Sequence, residues 1–145
     1  MITEFKELYL PVIMSVFLAY IAYQQLITNR NKLKQDLYNK RFEVYTDTLI
    51  LYQELSDTEG TSKETLRRFI SSKESSKFLF SNDPSIYELL NEVHHKSFKV
   101  NGVKKNKVEF TGNSEAYKEM NEALNWLTAQ LPILSQKLDK YLSFE

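Results

Sequence analysis

The two histidines are the first candidates for chemistry, because imidazole nitrogens bind metals and exchange protons near neutral pH. His94 and His95 are adjacent, so on a helix they project from different faces. Glu92 and His95 have the Glu-x-x-His spacing of di-iron bundles, and Glu88 lies one turn earlier. Such a site needs a second Glu-x-x-His motif, and no histidine remains to supply it. We therefore expect no metal ligands.

Signatures of other catalytic sites are missing from the sequence. It has no Gly-rich phosphate loop, no Gly-x-Ser-x-Gly elbow and no kinase-type motif set. Cysteine is absent, which excludes disulfides, thiolate zinc sites and cysteine nucleophiles. Glu43, Asp47 and Glu88 could act as acids or bases, but solvated helix faces explain these carboxylates better. We expect no catalytic residue and no cofactor, and hence a protein that is not an enzyme.

Charge gives no reason to expect nucleic acid as a partner. The 145 residues contain 19 Lys and Arg and 19 Asp and Glu, so the net charge is zero. Lysines 96, 99, 104, 105 and 107 could form a basic patch for nucleic acid or lipid, but they fit an exposed loop better.

The strongest pattern lies near the start of the chain. No charged side chain occurs between Glu7 and Arg30, and residues 8–27 are mostly apolar. A helix of about 20 residues crosses the roughly 30 Å hydrocarbon core of a bilayer. Tyr9 and Tyr23 are spaced to reach the two interfaces, and Pro11 is expected in the first turn. The pattern predicts a transmembrane helix, with residues 1–29 as tail and span and residues 30–145 as a cytosolic domain.

Two alternatives to an anchor remain for this segment. A cleaved signal peptide needs a basic start and a cleavage site of small residues, whereas this start is acidic overall and Tyr-Gln-Gln-Leu-Ile follows the apolar core. A buried core helix of a soluble protein is the other alternative, because the segment is near the lower limit of spanning length.

Basic residues directly after the segment predict its orientation. Lys6 is the only basic side chain before it. The positive-inside rule therefore places the C-terminal domain in the cytoplasm. The same residues are expected to contact lipid headgroups. They are Arg30, Lys32, Lys34, Lys40 and Arg41.

Small residues on one face of the predicted span indicate where helices could pack together. Ser15, Ala19 and Ala22 recur at helical spacing. Such faces let two membrane helices approach closely. We expect them to favour self-association.

The remainder of the chain predicts an all-α fold, because it has few glycines and prolines and strong helical periodicity. After the span, the first helix carries two apolar stripes: Leu33, Leu37, Val44, Leu51 and Leu55, and Tyr38, Phe42, Tyr45, Leu49 and Tyr52. Its opposite face is polar and includes Asp36, Asn39, Glu43, Asp47 and Glu54. Stripes this wide predict burial against two neighbouring helices.

Local signals divide the rest into three further helices. Thr61 with Glu64 resembles a capping box, and Asp83 before Pro84 is a strong helix start. Val100–Val103 contains Asn-Gly, a hairpin-turn signal, so residues 99–107 are predicted to be an exposed loop that could include a short hairpin. A last helix is expected from near Asn113. It carries an a/d seam formed by Tyr117, Met120, Leu124, Leu127, Leu131, Leu134, Leu138 and Tyr141.

Pro132 interrupts this seam and predicts a kink. The overall expectation is an N-terminal transmembrane helix that continues into a cytosolic antiparallel bundle of about four helices.

The stretch Lys32–Tyr45, directly after the predicted span, resembles a widespread group of small uncharacterised bacterial single-span membrane proteins. Their pattern is Lys-Leu-x-x-Asp-Leu-aromatic-x-basic-Arg-aromatic-x-Val-Tyr. The resemblance continues through residues 77–80, 124–131 and 137–142. Pro132 and residues 99–107 depart from it. The resemblance implies an anchor with a helical domain in the bacterial cytoplasmic membrane, and it implies no activity.

Two functions are compatible with these patterns. The first is a membrane-anchored interaction or scaffold module that acts through protein contacts or self-association. The alternative is a membrane-active effector, of prophage or phage-defence type, whose anchor oligomerises and perturbs the bilayer. Only the polar residues Ser15, Gln24 and Gln25 within a short span favour the alternative.

Overall fold

The computed structural model describes the backbone of residues 2–143 and the side chains of residues 9–143. The chain divides into two compact units, one up to Leu37 and one from Tyr38 onward. The predicted tail before the span, including Lys6, lies outside the residues whose side chains are described. Among the described residues all regular structure is helical, as the sequence predicts.

Four helices make up the chain in the order α1 (Ile2–Ser56), α2 (Lys63–Leu79), α3 (Pro84–Lys105) and α4 (Ser114–Leu142). Helix α1 begins earlier than expected. Pro11 therefore lies inside it and not in its first turn. Helix α4 likewise continues through Pro132.

The first unit contains the N-terminal part of α1. From Tyr9 to Arg30 its side chains are exposed, apart from a half-buried Ile21. This helix is long and apolar enough to cross a membrane, and its most apolar window has a mean hydropathy of 1.6 with no residue buried. It is the single such helix in the described part of the chain.

Side-chain caps explain most helix starts in the second unit. The Ser62 hydroxyl accepts a hydrogen bond from the Thr65 amide at 3.1 Å, so α2 starts one residue later than the Thr61 capping box predicts. Asn113 caps α4 in the same way through the Ala116 amide. Pro84 occupies the first turn of α3, as predicted, but Asp83 makes no capping bond with its side chain.

Consecutive helices of the second unit run antiparallel, because their contacts pair residues in opposite order. In α1, Arg41 contacts Leu79 at the end of α2, whereas Glu54, thirteen residues later, contacts Ser62 at the start of α2. Helices α1 and α2 therefore run in opposite directions. Helices α3 and α4 are joined from Lys99–Glu119 at one end to Asp83–Lys140 at the other.

The core of the second unit lies between these helices and combines apolar residues from all four. Of the first predicted stripe, Val44, Leu51 and Leu55 are fully buried, whereas Leu33 and Leu37 belong to the first unit and are exposed. The a/d seam of α4 faces the core as predicted, through Leu127, Leu134 and Leu138. The core is Val44, Leu51, Leu55, Phe69, Phe80, Ile86, Leu90, Val93, Val100, Ala123, Leu127, Leu134 and Leu138.

The predicted loop around Val100–Val103 is wrong, because α3 continues as a helix to Lys105. Val100 and Val103 follow Val93 at helical spacing and are buried with it. The Asn101 side chain also accepts a hydrogen bond from the Thr61 amide at 2.9 Å. Burial of one apolar face therefore outweighs the local turn preference of Asn-Gly. Only the part of the loop beyond Lys105 is non-helical.

Candidate functional site

The small and polar residues of the apolar segment lie on the exposed surface of α1. Ser15, Ala19 and Ala22 are all exposed, at spacings that place them on one face of α1. The Ser15 hydroxyl donates to the Pro11 carbonyl at 2.7 Å, and the Gln24 amide donates to the Tyr20 hydroxyl at 3.0 Å. These two polar side chains therefore have partners within their own helix.

The five basic residues predicted to meet lipid headgroups fall into two environments. Arg30, Lys32, Lys34 and Lys40 are exposed. Lys40 forms an ion pair with Glu43 at 2.9 Å, and this hydrogen bond raises the pKa of Lys40.

Arg41, by contrast, is engaged within the second unit. Its Nε donates to the Leu79 carbonyl at 3.2 Å, and its guanidinium lies 5.0 Å from the Tyr141 ring centroid and 5.9 Å from that of Phe80. Arg41 thus connects α1 to the end of α2 and to α4, by one hydrogen bond and two cation–π contacts.

A buried carboxylate joins α1 to α2. Asp47 was expected on a solvated face, but only 3% of it is exposed. Its Oδ2 accepts a hydrogen bond from the buried Ser72 hydroxyl at 2.5 Å, and its Oδ1 lies 3.0 Å from Arg68 Nη2. Since an unpaired buried charge is costly, Arg68 and Ser72 are what make this position tolerable. Asp47 lies three positions after Val44 and four positions before Leu51, both core residues, and this helical spacing is a sequence signal for its burial.

A buried lysine joins α2 to α3 in a second polar cluster. Lys73 is 7% exposed, and its Nζ lies 3.3 Å from Asn91 Oδ1 and 3.0 Å from Glu74 Oε1. His94 packs against the Phe69 ring. Burial lowers the pKa of His94, and the charges of Lys73 and His95 lower it further. The uncharged imidazole is therefore the form that fits beside Lys73.

The carboxylates and histidine considered for a metal site are not brought together. Glu88, Glu92 and His95 are exposed, while His94 turns toward α2. Within the described part of the chain, no three side chains of His, Cys, Asp or Glu are close enough to hold a metal ion.

The lysines of the predicted basic loop serve separate contacts. Lys104 donates to the carbonyls of Leu55 and Asp57, where α1 ends. A cation at that point stabilises the unpaired carbonyls and the negative end of the helix dipole. Lys96 lies over the half-buried Trp126 ring at 5.7 Å, and Lys99 pairs with Glu119. These lysines are thus distributed over several helix contacts.

Between α1 and α4 the second unit has an aromatic groove of about 160 Å³. Its lining residues are Phe42, Tyr45, Ser135, Leu138, Asp139 and Leu142. Phe42 and Tyr45 belong to the second predicted stripe of α1, and they remain partly exposed at this groove. Deeper between α1, α3 and α4 a mostly apolar cavity of about 10 Å³ has room for about one water molecule.

Comparisons with protein-family models, with curated proteins and with solved structures find no match to this chain. The function proposed below therefore rests on the residues and geometry of the chain itself.

Proposed function

We propose that this protein is a single-span membrane protein whose cytosolic helical unit is an interaction or scaffold module. The observation that carries the proposal is the exposed apolar segment of α1, in which the most hydrophobic window has no buried residue. A core helix of a soluble protein would bury such a window. In water a continuous apolar surface of this length would be strongly unfavourable.

The energetics of insertion support the membrane as the environment of this segment. Each Leu, Ile, Phe or Val near the centre of a span favours insertion by roughly 0.3–0.6 kcal/mol. Residues of these types occur throughout positions 10–18 and are exposed there. The Ser15 and Gln24 side chains each have a hydrogen-bond partner within α1, and these hydrogen bonds lower the free-energy cost of placing the two side chains in or near hydrocarbon.

The basic residues after the segment support a cytoplasmic location for the second unit. Arg30, Lys32 and Lys34 are exposed directly after the apolar run, as the positive-inside rule and headgroup contact require. In agreement with the resemblance noted above, the proposed membrane is the bacterial cytoplasmic membrane.

The absence of cysteine allows a direct test of this topology. Thr3→Cys and Ser143→Cys each introduce one thiol into a cysteine-free chain. In intact cells a membrane-impermeant maleimide should label the Thr3→Cys variant, and it should label Ser143→Cys only after lysis. The unmodified chain is the control for background. Labelling of Ser143→Cys in intact cells would contradict the proposed orientation.

Self-association is the proposed mode of interaction that the anchor supports best, because Ser15, Ala19 and Ala22 present a small-residue face. In mild detergent, native mass and crosslinking of the full chain should show an oligomer that Ala19→Leu weakens. Phe17→Leu, on the opposite face, is the matched control. A strictly monomeric chain would contradict self-association and would leave contact with a different protein as the proposed mode of interaction.

The membrane-active effector remains the second candidate, supported by the polar residues in a short span. The Ser15 and Gln24 side chains already have hydrogen-bond partners inside their own helix. This favours a passive anchor over an oligomer of several spans held together by polar contacts in the bilayer. Expression that arrests growth with depolarisation, and loss of both effects in Ala19→Lys, would favour the effector.

A further inference from the structure

We propose that the aromatic groove between α1 and α4 binds a small organic ammonium ion. The groove is lined by the partly exposed aromatic rings of Phe42 and Tyr45, by Leu138 and Leu142, and by the Asp139 carboxylate. Its volume of about 160 Å³ is roughly ten times that needed for one water molecule. The proposal is independent of the membrane topology.

Two aromatic rings and a carboxylate are a favourable combination for a cation. The faces of aromatic rings carry negative charge density and attract ammonium groups. The ring centroids of Phe42 and Tyr45 lie 6.2 Å apart, and the ring planes are tilted by 41° to each other. The two rings therefore line the same groove at different angles. The half-buried Leu142 supplies the apolar lining that methyl or methylene groups would contact, whereas Leu138 lies next to the groove but is fully buried.

Cation–π pairing is already a recurrent contact in this unit. Lys77 lies 4.4 Å from the Tyr87 centroid, and Arg41 lies 5.0 Å from that of Tyr141. Phe42 and Tyr45, however, face no cation among the described side chains. Phe42 also stacks on Tyr38, with ring centroids 6.2 Å apart and nearly parallel planes. A ligand in the groove would therefore contact the exposed remainder of Phe42 and the partly exposed ring of Tyr45.

The carboxylate of Asp139 decides between a neutral and a charged ligand. Within the described part of the chain, the Asp139 carboxylate has no ion pair or side-chain hydrogen bond. The neighbouring Lys140 pairs instead with Asp83, at 2.8 Å. A purely apolar ligand would remove water from Asp139 without replacing it, which is unfavourable. An ammonium ion would compensate the charge and contact the rings at the same time.

The test uses the full chain, with labelled leucine methyl groups, in maltoside micelles, whose headgroups are uncharged. Tetramethylammonium chloride is titrated while the resonances of Leu138 and Leu142 are followed by NMR. Saturable shifts are expected, and the apparent Kd should rise at least fivefold in Phe42→Leu and at least threefold in Asp139→Asn. Phe98→Leu and Glu122→Gln change an exposed phenylalanine and an exposed carboxylate elsewhere and should leave the Kd unchanged.

Three results would overturn the proposal. The first is a linear response that sodium chloride reproduces at the same ionic strength. The second is equally tight binding of tert-butanol, a neutral compound of similar size and shape, which would show a merely apolar groove. The third is a Kd that none of the groove variants changes. Folding of each variant is checked by the unchanged methyl spectrum of residues outside the groove.

A parallel titration with dodecylphosphocholine distinguishes the source of the ammonium group. Saturation by both probes with similar apparent Kd values and the same dependence on Phe42 supports a free organic cation as ligand. Saturation by both probes with a Kd for dodecylphosphocholine at least tenfold lower, and the same dependence on Phe42, supports the ammonium group of a lipid.

Discussion

Asp47 and Lys73 show how single polar residues hold the helices of the second unit together. Asp47 connects α1 to α2 through Ser72 and Arg68, and Lys73 connects α2 to α3 through Asn91. Each buried charge is desolvated and needs its partners in place. Hydrogen bonds and ion pairs need their partner atoms at particular distances and angles, so these contacts fix the relative position of two helices more closely than apolar packing does.

Replacement of Asp47 tests this role. Asp47→Ala leaves the buried Ser72 hydroxyl without its acceptor and removes the ion pair of Arg68. Arg68 is half exposed and can regain water, so we expect a loss of about 1–3 kcal/mol in the free energy of unfolding. Urea unfolding can be followed by the fluorescence of Trp126, the only tryptophan. Glu43→Ala, an exposed carboxylate on the same helix, should change stability by less than about 0.5 kcal/mol; equal effects of both variants would contradict a special role for Asp47.

The lowered pKa of His94 predicts a pH dependence of stability. Burial first, and then Lys73 and His95, disfavour the charged imidazole in the folded state. The unfolded chain therefore binds more protons below the ordinary histidine pKa of about 6.5, and stability falls as the pH decreases through that value. Unfolding measured between pH 7.5 and 5.5 should show this loss, and His94→Gln should reduce it.

His95→Gln is the matched control, because His95 is exposed, and it should keep most of the pH dependence. Hydrogen bonds from lysines lower the pKa of Glu74 and of Asp83, so these carboxylates titrate below the chosen range. If the two histidine variants behaved alike, the environment of His94 would not be the cause.

At the scale of elements, α2 is held differently from its neighbours. Its buried residues are Thr65, Phe69, Ser72, Lys73 and Ser76, of which only Phe69 is a large apolar side chain. Helices α3 and α4 bury mainly Ile, Val, Leu and Ala. The position of α2 therefore depends on hydrogen bonds and ion pairs more than theirs does.

The three glycines give a graded prediction for helix and turn stability. Gly102 is inside α3 and an added Cβ would meet no atom within 4 Å, so Gly102→Ala should stabilise the chain by about 0.5–1 kcal/mol. Gly112→Ala should destabilise it by about 1–2 kcal/mol, because the φ of Gly112 is +86°, a backbone angle that is unfavourable for alanine. An added Cβ would meet no atom within 4 Å there, so backbone strain is the whole cost.

Gly60→Ala should cost more than Gly112→Ala. The φ of Gly60 is +79°, and a Cβ would also lie 2.7 Å from Asn101 Oδ1, the acceptor of the Thr61 amide. Displacement of that oxygen adds the loss of a hydrogen bond, about 0.5–1.5 kcal/mol. Chemical unfolding of the three variants should follow this order; an equal cost at Gly60 and Gly112 would show that the contact with Asn101 adjusts freely.

At the scale of the whole molecule, the proposed anchor predicts a strong position dependence for added charge. Arginine near the centre of a span disfavours insertion by about 2.5–3.5 kcal/mol. Phe17→Arg should therefore move much of the chain out of the alkali-resistant membrane fraction. Gln25→Arg, near the expected inner interface, should have a small effect. Similar fractions for both variants would contradict a span centred on residue 17.

The amino-acid sequence by itself determined the helical class, the starts of α3 and α4 and the exposed apolar segment of α1. These features depend on local chemistry, namely helix periodicity, caps such as Asn113, and an uninterrupted apolar run. The tertiary structure alone decided that Asp47 and Lys73 are buried, that Arg41 packs on Tyr141, and that α3 continues through Gly102. The physical reason is that burial and pairing depend on which side chain of another helix lies opposite, and helical spacing within one segment does not specify that partner.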